Sequence, residues 1–190
     1  LIESDSFTIH PRDNKAIFRG KALIQYDQII LKGDMIDLGQ NQVEVFSSNN
    51  NLSSFSNSID TDGSAKVSQS STFVQSRNIS LLKQEDAYEY TFNEDVFFVS
   101  EFYRINAEWL FLKTKDRPDL DSSEMFQDIT LTEAKENVIV KHDNYQISGE
   151  NLRYLPLENQ LAFSDDVTYV SDFAKLKSNR LIIELSLIHI

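Results

Sequence analysis

Ile105-Asn106-Ala107-Glu108-Trp109-Leu110-Phe111-Leu112 is the stretch that decides the fold, because it is one of six copies of a single phrase. The phrase is an aliphatic residue, any residue, a small residue, a polar one, any residue, then two large residues in alternation. The other copies begin at Ile2, Leu31, Val74, Ile147 and Leu176. They put Ser4, Gly33, Ser76, Gly149 and Ser178 at the small position that Ala107 holds here. A recurring unit sets the whole architecture. Apolar residues two apart read as strands with one buried face. No stretch sustains the three-and-four spacing of an amphipathic helix.

The phrase contains a change of parity. Ile105 and Ala107 would face one side of an uninterrupted strand, Leu110 and Leu112 the other. A bulge or corner at the small-polar pair returns both sets to one interior. Gly, Ala or Ser suits such a bend because it carries little bulk. Eleven residues before the small position stands a second anchor: Ala22, Ala65, Val96, Val138 or Val167. Ile24, Val67, Phe98, Val140 and Tyr169 follow these anchors by two. Phe18, Phe92 and Phe163 precede three of them by four, with Thr61 and Ala134 in that place elsewhere. Each unit is therefore expected to be two strands joined by a tight turn, with a kink in the second. Extra residues fall in Ser47 to Gly63, rich in Ser and Asn, and in Lys113 to Met125, which holds Arg117-Pro118-Asp119. Both compositions are loop-like, and insertions in every second link should emerge on one side of the stack.

The chain has 190 residues, 41% of them apolar, with five Gly and three Pro, which suits a cored domain rather than a collagen-like or disordered chain. One elongated domain over residues 1–185 is expected. No apolar run reaches the length of a membrane-spanning helix. With no cysteine, disulfides and cysteine-based metal sites are excluded. A net charge of −12 argues against nucleic acid and against a generic anionic membrane surface. Lys135, Lys141 and Arg153 read as scattered among acids. The chain begins inside a repeat with no initiator Met, so it is read as a fragment or a processed form. Leu185-Ser186-Leu187-Ile188-His189-Ile190 matches no unit. Residues 186–190 are read as a non-native or disordered tail, the other reading being a final edge strand.

The residues Ile2-Glu3-Ser4-Asp5, Ala16-Ile17-Phe18-Arg19-Gly20-Lys21-Ala22, Leu31-Lys32-Gly33-Asp34-Met35-Ile36 and Leu161-Ala162-Phe163-Ser164-Asp165-Asp166-Val167 resemble the OstA-type repeat. That repeat belongs to the LptA-like family of lipopolysaccharide transport, which includes LptC and the N-terminal region of LptD. The resemblance covers most of residues 1–185. It implies an all-β, repetitive, twisted and open β-jelly roll, a solenoid-like stack of antiparallel strand pairs. It implies a periplasmic location in a Gram-negative bacterium and an apolar groove that carries the acyl chains of lipid A between the two membranes. It further implies partners of the same family, or other copies of the chain, added by edge-strand pairing, and no cofactor. Where the family has Gly-Asn before the anchor, this chain has Glu94-Asp95, Glu136-Asn137 and Asp165-Asp166, read as a variable surface turn. Arg77 stands where an acid is usual.

The inward set expected to line the groove is Phe18, Ile24, Leu31, Ile36, Phe92, Phe98, Ile105, Leu110, Val140, Ile147, Leu152, Phe163, Leu176 and Leu181. The competing reading packs these same residues as a dry core of a β-solenoid scaffold that binds proteins and carries no lipid. Catalysis has little support. The histidines are His10, His142 and His189, and His142-Asp143 reads as a surface pair on opposite faces of a strand. Asp60-Thr61-Asp62-Gly63 lacks the later ligands of a calcium loop. Asn51-Leu52-Ser53 and Asn78-Ile79-Ser80 match a glycosylation triplet that is common by chance. No nucleophile triad, phosphate loop or metal-ligand helix is present, so the chain is read as a non-enzyme. Trp109 alternates away from Leu110 and should face outward.

Overall fold

The computed structural model describes residues 1–26, 29–48, 52–56, 73–100, 103–115 and 129–184. The anchors Ala65 and Val67, the Asp60–Gly63 stretch and the tail from Leu185 lie outside the described residues. Among those described, every regular element is a strand except two 3-10 turns, Pro11–Asp13 and Pro156–Glu158. Each turn opens on Pro, which presets its first φ. Each closes on a left-handed Asn, Asn14 at φ 47° and Asn159 at φ 49°.

The fourteen strands among the described residues form one antiparallel sheet. The phrase builds β1 (Ile2–Glu3) with β2 (Ser6–His10), β4 (Ile29–Leu38), β7 (Phe73–Ser76) with β8 (Asn78–Lys83), β10 (Arg104–Lys115), β12 (Tyr145–Leu155) and β14 (Lys175–Glu184). Between them run β3 (Lys15–Tyr26), β5 (Gln42–Phe46) with β6 (Ser53–Ser56), β9 (Ala87–Val99), β11 (Ile129–His142) and β13 (Gln160–Ser171). The all-β, repetitive architecture of antiparallel strand pairs read from the sequence is the one observed.

Register explains the eleven-residue spacing. Ala22 lies directly across from Gly33, Val96 from Ala107, Val138 from Gly149 and Val167 from Ser178. Anchor and small residue are thus cross-strand partners in a hairpin. The unit assigned to Ala65 is different: Ser76 lies across from Ser53 on β6. Ser53 therefore holds the anchor place in that unit. The Ser47 to Gly63 stretch, expected to be loop, contains β6 itself.

The kink also sits elsewhere than expected. Two residues of the anchor strand stand opposite one residue of the phrase strand at Gly20-Lys21, Glu94-Asp95, Glu136-Asn137 and Asp165-Asp166. All eight have positive φ, from 46° at Lys21 to 77° at Gly20. These pairs are mid-strand bulges, not the surface turns read from the sequence. Left-handed geometry costs a non-glycine residue about 1–2 kcal/mol. The bulges are kept because they turn both half-strands inward, and each fully buried large apolar side chain contributes about 1.5–3 kcal/mol. A Cβ on Gly20 would overlap the Asp5 side chain, so that close approach, more than the positive φ its non-glycine counterparts share, favours glycine there.

The polar position of the phrase serves the bulge. Glu108 accepts a long hydrogen bond from the backbone N–H of Asp95 (3.4 Å), and Glu150 one from that of Asn137 (3.5 Å). Arg77, out of pattern in sequence, answers the acids of the neighbouring bulge: its Nη2 lies 2.7 Å from Asp95 Oδ2. That hydrogen bond holds the Arg77 guanidinium above its ordinary pKa.

The corners fold the sheet into two facing layers. The upper layer holds β2, β5, β8 and the halves of the long strands on their side of the bulges; the lower holds β1, β6, β7 and the other halves. A single apolar cluster fills the space between, drawing Phe92 and Leu110 from the upper layer and Phe98 and Ile105 from the lower. Far from the corner, Tyr103 at the lower start of β10 touches Tyr154 at the upper end of β12, with ring centroids 6.4 Å apart. Corner and rim therefore lie on opposite sides of the interior.

Candidate functional site

The parity change in the phrase places the interior residues. On β10, Ile105, Ala107, Leu110 and Leu112 are all buried, with a step of three from Ala107 to Leu110 instead of two. On β9, Tyr90, Phe92, Val96 and Phe98 are buried, with a step of four from Phe92 to Val96 across the bulge. The inward set thus converges on one space. Phe18, Ile36, Phe92, Phe98, Ile105, Leu110, Val140, Ile147, Leu152 and Phe163 are buried, and Ile24, Leu31 and Leu181 pack partly buried against them. Leu176 keeps the inward register, opposite Tyr169, but is 56% exposed.

Burial is graded along the interior. Ile36, Phe92, Leu110 and Ile147 have no exposed surface, so the middle is closely packed. At β2, Phe7 stacks on Phe18 (centroids 6.4 Å) yet is 65% exposed, and Ile9 and Ile2 are exposed beside it. Tyr90, Leu112 and Leu161 belong to the same lining. The signal for each was present, because each stands two residues from a residue already in the set.

Four rings occupy the rim on the lower side, and Tyr154 meets them from the upper side. His142 stacks on Tyr145 (4.8 Å), Tyr145 on Tyr169 (5.8 Å), and Tyr103 leans against His142 (5.8 Å). Tyr103 and Tyr145 are hydrogen-bonded through their side chains. Burial pushes the hydroxyls of Tyr103, Tyr145 and Tyr154 above the ordinary tyrosine range. His142 is thus half-buried among aromatic rings, not the surface residue of a His-Asp pair, and its Nδ1 is buried without a hydrogen-bond partner. No local sequence signal brings Tyr103 to Tyr154; only the fold does.

Outside, the two layers differ. The upper layer pairs its charges: Lys15 Nζ with Asp37 (2.7 Å), Lys113 Nζ with Glu89 (2.8 Å), Arg153 Nε with Glu133 (3.5 Å). The hydrogen bond to Asp37 raises the pKa of Lys15. Trp109 faces outward here, stacked on Phe111 (6.1 Å) with Lys135 Nζ 4.6 Å from its ring centre. Beside it lies an open depression of about 820 Å³ reaching Glu94, Glu108 and Glu136. Among the described residues no group of His, Asp and Glu side chains could hold a metal ion, and no helix is long and apolar enough to cross a membrane.

Among solved structures the chain is similar to LptH of Pseudomonas aeruginosa, described as the LptA-homologous periplasmic component of the conserved lipopolysaccharide transport device. The identity is 12%, the match covers 58% of this chain and 73% of that one, and the TM-score is 0.46. No protein-family model and no curated protein matches the chain.

Proposed function

We propose that this chain is a lipopolysaccharide-binding component of periplasmic transport in a Gram-negative bacterium, carrying lipid acyl chains between its two layers. The observation that carries the reading is the single apolar interior shared by both layers, running from Phe18 and Ile36 through Phe92 and Leu110 to Phe163. It coincides with the OstA-type repeat described above. Each CH2 of an acyl chain moved from water into such an interior contributes about 0.8 kcal/mol. The outer edges of β1–β2 and β14 offer backbone groups to which another domain of the same kind could add a strand. The role is transport, with no catalytic step.

The close packing of the middle favours a second reading, a protein-binding scaffold with a dry core. Photo-crosslinking separates the two. With a photoreactive residue at Phe18, Leu31 or Leu181, lipopolysaccharide should be captured, while the outward Arg153 position should capture little. A folded protein that captures lipid only from Arg153, or from none of these sites, leaves the scaffold reading standing and removes the transport one.

A further inference from the structure

Along the lower layer, outward residues of successive strands line up by register. Nearest the rim the row runs Arg104–Lys141–Gln146–Val170–Lys175 across β10 to β14. The next row inward runs Asn106–Ile139–Ser148–Thr168–Lys177. Neither row carries an acid, in a chain of net charge −12. The sequence alone had Lys141 scattered among acids; the register sets it between Arg104 and Gln146 instead.

Arg104 and Lys141 are direct cross-strand partners, and like charges so placed are destabilising. Arg104, Lys141, Lys175 and Lys177 are all exposed, and none forms an ion pair among the described residues. Apolar residues stand among them: Val170 is exposed and Ile139 half-buried. At the rim end of the same face, in the turn between β13 and β14, Phe173 is 98% exposed. Among the described residues Asp143 and Asp172 lie in the rim turns rather than in the rows.

From this placement we infer that the outer face of the lower layer docks on an anionic phospholipid surface. A sheet face whose two rows hold four exposed cations and no acid matches a plane of phosphate groups. Lysine and arginine stems lie along apolar surface while their heads stay in the polar region. A fully exposed Phe at the margin can bury its ring at the boundary of headgroups and acyl chains, as the apolar residues of peripheral membrane surfaces do. Juxtaposed basic residues are drawn to anionic leaflets over a Debye length, so the attraction acts locally even on an acidic protein. The inference does not depend on lipid carriage in the interior.

Vesicle co-sedimentation of the whole chain tests it. Phosphatidylcholine vesicles containing phosphatidylglycerol should retain the protein at low salt and release it at high salt; pure phosphatidylcholine vesicles should not retain it. Combining Arg104→Gln, Lys141→Gln, Lys175→Gln and Lys177→Gln should cut binding at least about tenfold. The same charge change on the upper layer, through Lys115→Gln, Lys135→Gln, Arg153→Gln and Arg180→Gln, should change it less than about twofold. Phe173→Ser, at a position with no packing to lose, should weaken binding on its own. Equal loss from both quadruple variants, equal retention on neutral vesicles, or no retention at all overturns the proposal. So does vesicle-free self-association abolished by the lower-layer variant, which would assign the face to the acidic corner of a second copy.

Discussion

The two layers are alike inside and unlike outside, and the contrast separates what the fold requires from what it leaves free. Inside, each layer supplies half of one apolar cluster, because every long strand contributes a stretch to both. Outside, the upper layer matches lysines and arginines with carboxylates across neighbouring strands. The lower layer sets Arg104 against Lys141, and its two rows across β10 to β14 hold no acid. Folding needs only the inner rows, so the outer rows are free to carry different electrostatic instructions on the two sides.

The inner likeness can be broken by truncation. Phe92→Ala in the upper half of β9 and Phe98→Ala in the lower half should each cost about 3–5 kcal/mol in urea unfolding. A much smaller loss at Phe98 would show that the lower layer is a peripheral flap rather than half of the core.

The rim where the layers meet gives a second, pH-dependent test. The folded pKa values of Tyr103, Tyr145 and Tyr154 are raised by burial, above an unfolded value of about 10. Both states keep these protons at low pH, so the rim's full stability is present below about pH 10. Above it the unfolded chain ionises first, and stability should fall as pH rises toward the folded values. Tyr154→Phe should lessen that alkaline loss in unfolding measurements made from about pH 8 to about pH 11. An unchanged alkaline slope would mean the rim opens before the rest of the fold.

The outer contrast predicts the smallest effects, and they have opposite signs. Lys113→Gln breaks the pair with Glu89 and should cost about 0.5 kcal/mol. Arg104→Gln relieves the repulsion with Lys141 and should stabilise by about 0.3 kcal/mol. Both shifts should shrink in high salt. Destabilisation by Arg104→Gln would show that the lower rows are held by interactions of their own.

What could be read from sequence follows the range of each signal. The inward set was legible because alternation is local: Phe92, Leu110 and Phe163 announce themselves through neighbours two residues away. The hairpin partnership of Ala22 with Gly33, or Val96 with Ala107, was legible because its spacing is constant. Ala65 misled because it stands eleven residues before Ser76 and is followed by Val67, which mimics the unit, while the actual partner Ser53 lies farther back in the sequence. The bulges at Glu94-Asp95 and Asp165-Asp166 read as turns because exposed acids carry no sign of φ. The rim rings and the basic rows were invisible for a deeper reason. Tyr103 meets Tyr154, and Arg104 meets Lys141, only after the strands are in register and the sheet has folded over.

The unequal step across the corner makes the fold unusually sensitive to one kind of genetic change. An anchor strand spends four positions between inward residues there, as from Phe92 to Val96; a phrase strand spends three, as from Ala107 to Leu110. Losing one of Glu94 and Asp95 would give β9 the step of three that β10 already makes, erasing the two-against-one mismatch at the corner. Losing both would leave a step of two beside a neighbour that steps three, moving the mismatch to the opposite strand. The corner thus acts as a ratio held between neighbours, so the outcome of a deletion there is set by the adjoining strands as much as by the strand that is shortened.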